Sequence, residues 1–175
     1  MRKSIISKGI PAILSVLVAF AIFTTDIFAA DEGTVTATVT VTNIALTVSS
    51  GTVTYGTLGL NSTENTASAG GIGEQTQTAT NTGNVTEDFN IKGVATANWT
   101  LAGTAGDETY FHKWCTVDCD GTPTWTAMTL IYTTLATGIT TASPNQLFDL
   151  QIGTPTATIN FTEQSPNVTI QAVAN

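Results

Sequence analysis

From Thr34 to Thr42 the chain alternates without a break, as Thr34-Val35-Thr36-Ala37-Thr38-Val39-Thr40-Val41-Thr42. Successive side chains of a strand point to opposite faces, so Val35, Ala37, Val39 and Val41 would share one face and five threonines the other. A helix of period 3.6 would scatter the same valines around its axis. The pattern predicts a strand, and short segments of similar kind follow. Ile44–Val48 is set off by Asn43, and Ser49-Ser50-Gly51 reads as a turn. Thr52–Leu60 predicts a strand, Asn61–Gly73 a loop, and Glu74–Thr80, poor in apolar residues, an edge strand. Asn81-Thr82-Gly83-Asn84 is a turn signal. Phe89, Ile91 and Val94 then mark an inner face, with Asn90 and Lys92 outward. Asn98–Ala102 and Thr109–Thr116 are further strands joined through a Gly103–Asp107 turn. Asp120-Gly121 signals a hairpin between two tryptophan-bearing segments. A strand over Trp125–Thr134 and a polar loop over Thr137–Asn145 come next. In Gln146–Gly153, Leu147 lies on one face and Phe148, Leu150 and Ile152 on the other, which predicts a central strand. Thr158–Phe161 and Val168–Val173 complete the set.

Roughly ten short strands separated by turns predict an all-β fold, a single β-sandwich of jelly-roll or immunoglobulin-like type. No fixed-period repeat points to a solenoid or propeller. The expected core anchors are Tyr55, Leu58, Leu60, Phe89, Ile91, Trp99, Leu101, Trp125, Leu130, Tyr132, Phe148, Leu150 and Ile170.

The first 30 residues have a different pattern. Arg2, Lys3 and Lys8 precede an uncharged, mostly apolar run from Ile10 to Phe23, a polar break at Thr24-Thr25-Asp26, and small residues at Ala29-Ala30. That is the layout of a secretory signal peptide over 1–30, leaving a sandwich domain over 31–175. The run is short for a membrane-spanning helix of ~20 residues. Beyond residue 30 there are two lysines, Lys92 and Lys113, against twelve carboxylates, a formal charge near −10. Such a surface repels phosphates and anionic lipid headgroups, so neither nucleic acid nor membrane is an expected partner once the signal is cleaved. Threonine fills the outward positions where charged residues usually stand. Its β-branch suits a pleated sheet and its hydroxyl wets the outer face.

Catalytic chemistry has little to draw on. His112 is the single histidine, no arginine lies beyond Arg2, and no nucleophile elbow, phosphate loop or H-E-x-x-H motif occurs. The expectation is a protein that is not an enzyme and takes no cofactor. Cys115 and Cys119 are the only cysteines, and in an exported protein such a pair is expected to form a disulfide. A zinc site built from them and His112 would be one protein ligand short. Asp118 and Asp120, with Asp107 and Glu108, offer oxygen ligands of the kind Ca²⁺ takes, but without the twelve-residue EF-hand loop; a solvated acidic hairpin tip is the plainer reading. Asn-x-Ser/Thr sequons stand at Asn61, Asn84, Asn98, Asn160 and Asn167, with Asn98 the poorest acceptor because Trp99 follows it.

The stretch Tyr55-Gly56-Thr57-Leu58-Gly59-Leu60, followed by Asn81-Thr82-Gly83-Asn84-Val85-Thr86-Glu87-Asp88-Phe89, resembles the TasA/camelysin-like secreted proteins. The resemblance implies a jelly-roll subunit that polymerises into extracellular fibres, the N-terminal strand of one copy completing the sheet of the next. Thr34–Thr42 would be that strand. The leading expectation is a secreted structural subunit of the cell surface or extracellular matrix that forms filaments by strand donation, with itself or another surface protein as partner. No sortase-type motif precedes Asn175, so attachment is expected through assembly, a partner or the N-terminus. Self-pairing of Thr34–Thr42, with Val168–Val173 for example, is the ordinary alternative. Two rivals differ in class. One is a monomeric module that binds carbohydrate or another cell through the Trp114–Trp125 hairpin. The other is a pilin- or archaellin-like subunit that keeps its N-terminal helix, although Pro11 and Leu14 fit the bacterial type IV pattern poorly.

Overall fold

The computed structural model describes residues 33–67 and 72–175, so the signal peptide read over 1–30 lies outside the described residues. Ten strands and no helix make up the described chain: β1 (Leu46–Ser49), β2 (Thr63–Asn65), β3 (Gln77–Asn81), β4 (Glu87–Gly93), β5 (Thr100–Ala102), β6 (Thr109–Cys115), β7 (Thr126–Ala127), β8 (Thr133–Ile139), β9 (Asn145–Gly153) and β10 (Val168–Ala174). They form two sheets packed as a sandwich. The larger runs β1-β3-β9-β6-β5, with β2 added to β9 and β7 to β6; the smaller runs β10-β4-β8.

The expected all-β sandwich is therefore present. β9 occupies the central place its sequence predicted. Its first half pairs with β3, and Gln151–Gly153 pair with β2 on one edge and β6 on the other. Phe148 and Leu150 point inward, against Phe89 and Ile91 of β4 and Leu135 and Ile139 of β8, with Met128 closing the core. Phe89 and Ile91 are fully buried, as their alternation requires.

Several expectations differ from what forms. Thr34–Thr42 carries no strand, and Val168–Val173 lies in β10, which pairs with β4 alone. Thr52–Leu60 alternates but joins no ladder; Gly51 and Gly56 both take positive φ, and Val53 and Tyr55 still reach the core. Glu74–Thr80 is not an edge: β3 lies between β1 and β9, its buried Gln77 accepting from Gly51 N–H and donating to the Gln75 carbonyl. Of the strand expected over Trp125–Thr134, only Thr126–Ala127 (β7) and the first two residues of β8 form. Of the loop expected over Thr137–Asn145, Thr137–Ile139 belong to β8 and Asn145 opens β9, while 140–144 form the turn between them. Thr158–Phe161 forms no strand. Leu60, Leu130 and Tyr132 are exposed rather than core.

The sandwich has two ends. β4 starts at Glu87 on the end that carries the Asn81–Asn84 turn and finishes at Gly93 on the other, while β8 and β10 run the opposite way. The end with the turn is called the seat end below, and the other the far end.

Candidate functional site

The turn between β3 and β4 holds the chain segment that enters β1. Asn81 organises the turn: its Oδ1 accepts from Gly83 N–H at 2.8 Å, and its Nδ2 donates to the carbonyls of Val85 and Ile139. Asn84 then grips the incoming segment three ways. Its Nδ2 donates to the Val41 carbonyl at 2.8 Å, its Oδ1 accepts from Asn43 N–H at 2.7 Å, and its backbone N–H donates to the Asn43 carbonyl. Thr82 N–H donates to the Ala45 carbonyl, and Glu87 Oε1 accepts from Ala45 N–H at 2.9 Å. Glu87 is fully buried, and its Oε2 has no hydrogen-bond partner. Sequence reasoning found the turn but not this function. The signal was there in two asparagines flanking Thr-Gly, each able to bond backbone on either side.

Gly83 makes the close approach possible. A Cβ there would stand 2.3 Å from the Asn43 carbonyl oxygen and 2.5 Å from Glu87 Oε1. The sequon at Asn84 is compromised for the same reason, since its Nδ2 is already engaged with Val41, whereas Asn98 is exposed.

The unit that contains all ten strands begins at Thr40. Among the described residues, 33–40 carry no strand and no hydrogen bond, and Val35, Val39 and Val41 are 91, 90 and 78% exposed; Ala37 is exposed with them. The apolar face of the ribbon is thus uncovered. In water such valines lose the burial that their β-branched shape suits.

At the end of β6, Cys115 and Cys119 are joined as a disulfide with Cα atoms 5.9 Å apart. The loop is short, so its entropic contribution is about 2 kcal/mol or less. Asp118 takes a positive φ of 51° there, and its Oδ2 accepts from Thr122 N–H, which shapes the hairpin tip. Beside it, Glu74, Asp118, Asp120 and Asp149 line a cleft of about 240 Å³. Asp149 is committed to the fold, with Oδ1 accepting from the Thr66 and Thr76 hydroxyls.

The four carboxylates considered for calcium are not brought together. Asp107 and Glu108 precede β6, while Asp118 and Asp120 follow it, a separation of roughly 20 Å along a seven-residue strand. Glu108 instead accepts from the Thr158 hydroxyl and Ile159 N–H, and these bonds hold its carboxyl below the usual range. No group of three metal-ligating side chains occurs among the described residues.

His112 lies in the buried interior of the sheet. Its Nε2 is 3.0 Å from the Tyr55 hydroxyl, and its Nδ1 is buried without a partner. Burial pushes its pKa down to about 4. Trp114, on the same face of β6, is half-buried and packs against the core cluster, with its indole nitrogen out of water. Comparison with protein-family models, with curated proteins and with solved structures finds no match for this chain.

Proposed function

We propose that the exported domain is a structural subunit of the cell surface or extracellular matrix, and that it polymerises by donating Thr34–Thr42 to a neighbouring copy. The observation that carries this reading is the uninterrupted period-two ribbon whose valines are exposed, attached through Val41 to the Asn84 seat. Backbone hydrogen bonds along the acceptor's edge would give affinity, and the valines would fill apolar positions beside it. The ribbon itself carries no charge that would guard against such pairing, charged side chains being the usual guard of a sheet edge. The resemblance to TasA/camelysin-like proteins points the same way.

Removal of residues 31–42 tests the reading. The shortened protein is expected to remain a folded monomer by sedimentation and to form no fibres by electron microscopy. Fibres indistinguishable from those of the full chain would overturn it.

A further inference from the structure

Resting on that reading, we infer that the acceptor is the free edge of β10 in a second copy, entered from the far end, so that copies stack head to tail. Among the described residues, six strands are bonded to a single neighbour and keep an open edge: β1, β2, β5, β7, β8 and β10. β1 has four residues, β2 and β5 three each and β7 two, too few for a nine-residue ribbon. β8 is long enough, but its pairing with β4 shifts register twice, and its inward Leu135 and Ile139 are already buried. A bulged edge templates a new strand poorly.

β10 is the opposite case. Its seven residues, Val168 to Ala174, pair with β4 in unbroken register and contain no charge and no proline. Its inward residues Val168, Ile170 and Ala172 touch the core yet stay only partly buried. A strand laid beside them would finish their burial, and the ribbon's valines are spaced to do so.

Direction decides the stacking. β10 runs from the far end toward the seat end, since Val168 pairs with Gly93 and Ala174 with Glu87. The ribbon leads into its own seat at Val41–Ala45. A copy whose seat end rests on its neighbour's far end therefore delivers the ribbon antiparallel to β10, and pairing of a chain's ribbon with its own β10 would have to be parallel. The far end also leaves four large apolar side chains uncovered. Leu130 and Ile131, just before β8, and Ile159 and Phe161, between β9 and β10, are 59, 72, 88 and 79% exposed. A head-to-tail contact of this kind is heterologous and extends as a filament unless its rotation closes a ring.

The test uses the full chain with single added cysteines, Cys115 and Cys119 being joined to each other. Chains carrying Thr38→Cys are mixed with chains carrying Thr169→Cys, Gln171→Cys or Val173→Cys on the outward face of β10, or Thr134→Cys on β8. At least one β10 position is expected to give a covalent heterodimer at about tenfold the yield of the β8 position, because a disulfide needs Cα atoms within ~7 Å. Fibres that crosslink through Thr134→Cys, or through no tested position, overturn β10 as the acceptor and leave strand donation standing. If polymers survive removal of residues 31–42, donation and acceptor fall together.

Discussion

Lowering the pH from 6.5 to about 4 is expected to destabilise the folded domain by about 3 kcal/mol, read as a falling midpoint of chemical denaturation. The cause is His112. An imidazolium carries two donors and needs two acceptors. Tyr55 can serve Nε2, but Nδ1 is buried without a partner. Burial also raises the pKa of the Tyr55 hydroxyl, so it stays neutral and supplies no counter-charge. Tyr110, whose ring lies 6.4 Å from His112, is pushed up to about 12 and donates to the Val94 carbonyl. The unfolded chain thus takes up a proton near pH 6.5 that the folded chain refuses until about 4. The stability is complete above 6.5 and is lost as pH falls through that window. Glu108 acts in the same direction but below the carboxylate range, because its pKa is lowered from 4.5. His112→Gln should flatten the profile between the two values. An unchanged slope in that variant would place the effect elsewhere.

Gly83→Ala is expected to unseat the segment that leads into β1, at about 3 kcal/mol of stability, since overpacking and lost hydrogen bonds both contribute. The clash is with the Asn43 backbone and with a buried carboxylate, neither of which can swing aside as a surface side chain would. Once Asn43–Ala45 moves, Glu87 Oε1 loses its Ala45 donor, and both oxygens of a buried carboxylate then lack partners. Limited proteolysis should cut between Val41 and Ser50 in the variant and spare the parent. Gly33→Ala is the control, because nothing lies within 4 Å of a Cβ there. Equal melting temperatures for Gly83→Ala and the parent would show that the close approach is not limiting.

How much of this was legible in the sequence depended on what kind of side chain each strand buries. β4 and β9 were readable because Phe89, Ile91, Phe148, Leu150 and Ile152 alternate with polar partners. β3 was misplaced at an edge because it buries Gln77 and Asn81, which are satisfied by backbone groups that hydrophobic periodicity does not register. β8 was half missed because the position between Leu135 and Ile139 is the exposed Thr137, followed by Gly138, so the apolar alternation lapses where the pairing with β4 shifts register. Thr52–Leu60 misled in the other direction: alternating burial of Val53 and Tyr55 needs a surface to pack on, not a hydrogen-bonded neighbour. The seat was invisible for a related reason. A turn signal states that the chain reverses, but not which distant backbone the turn's own side chains will hold.

The place of β9 has a kinetic consequence. Gln151–Gly153 are hydrogen-bonded on both edges, to β2 and to β6, and Leu150 N–H donates to the buried Thr66 hydroxyl. Fraying from an edge strand does not reach these amides, which lie at the centre of the sheet with a strand on either side. Leu150 to Gly153 should therefore be the last to exchange their amide hydrogens for deuterium, at the rate set by global unfolding. The amides of β1, held in the sheet by β3 alone, should exchange orders of magnitude sooner.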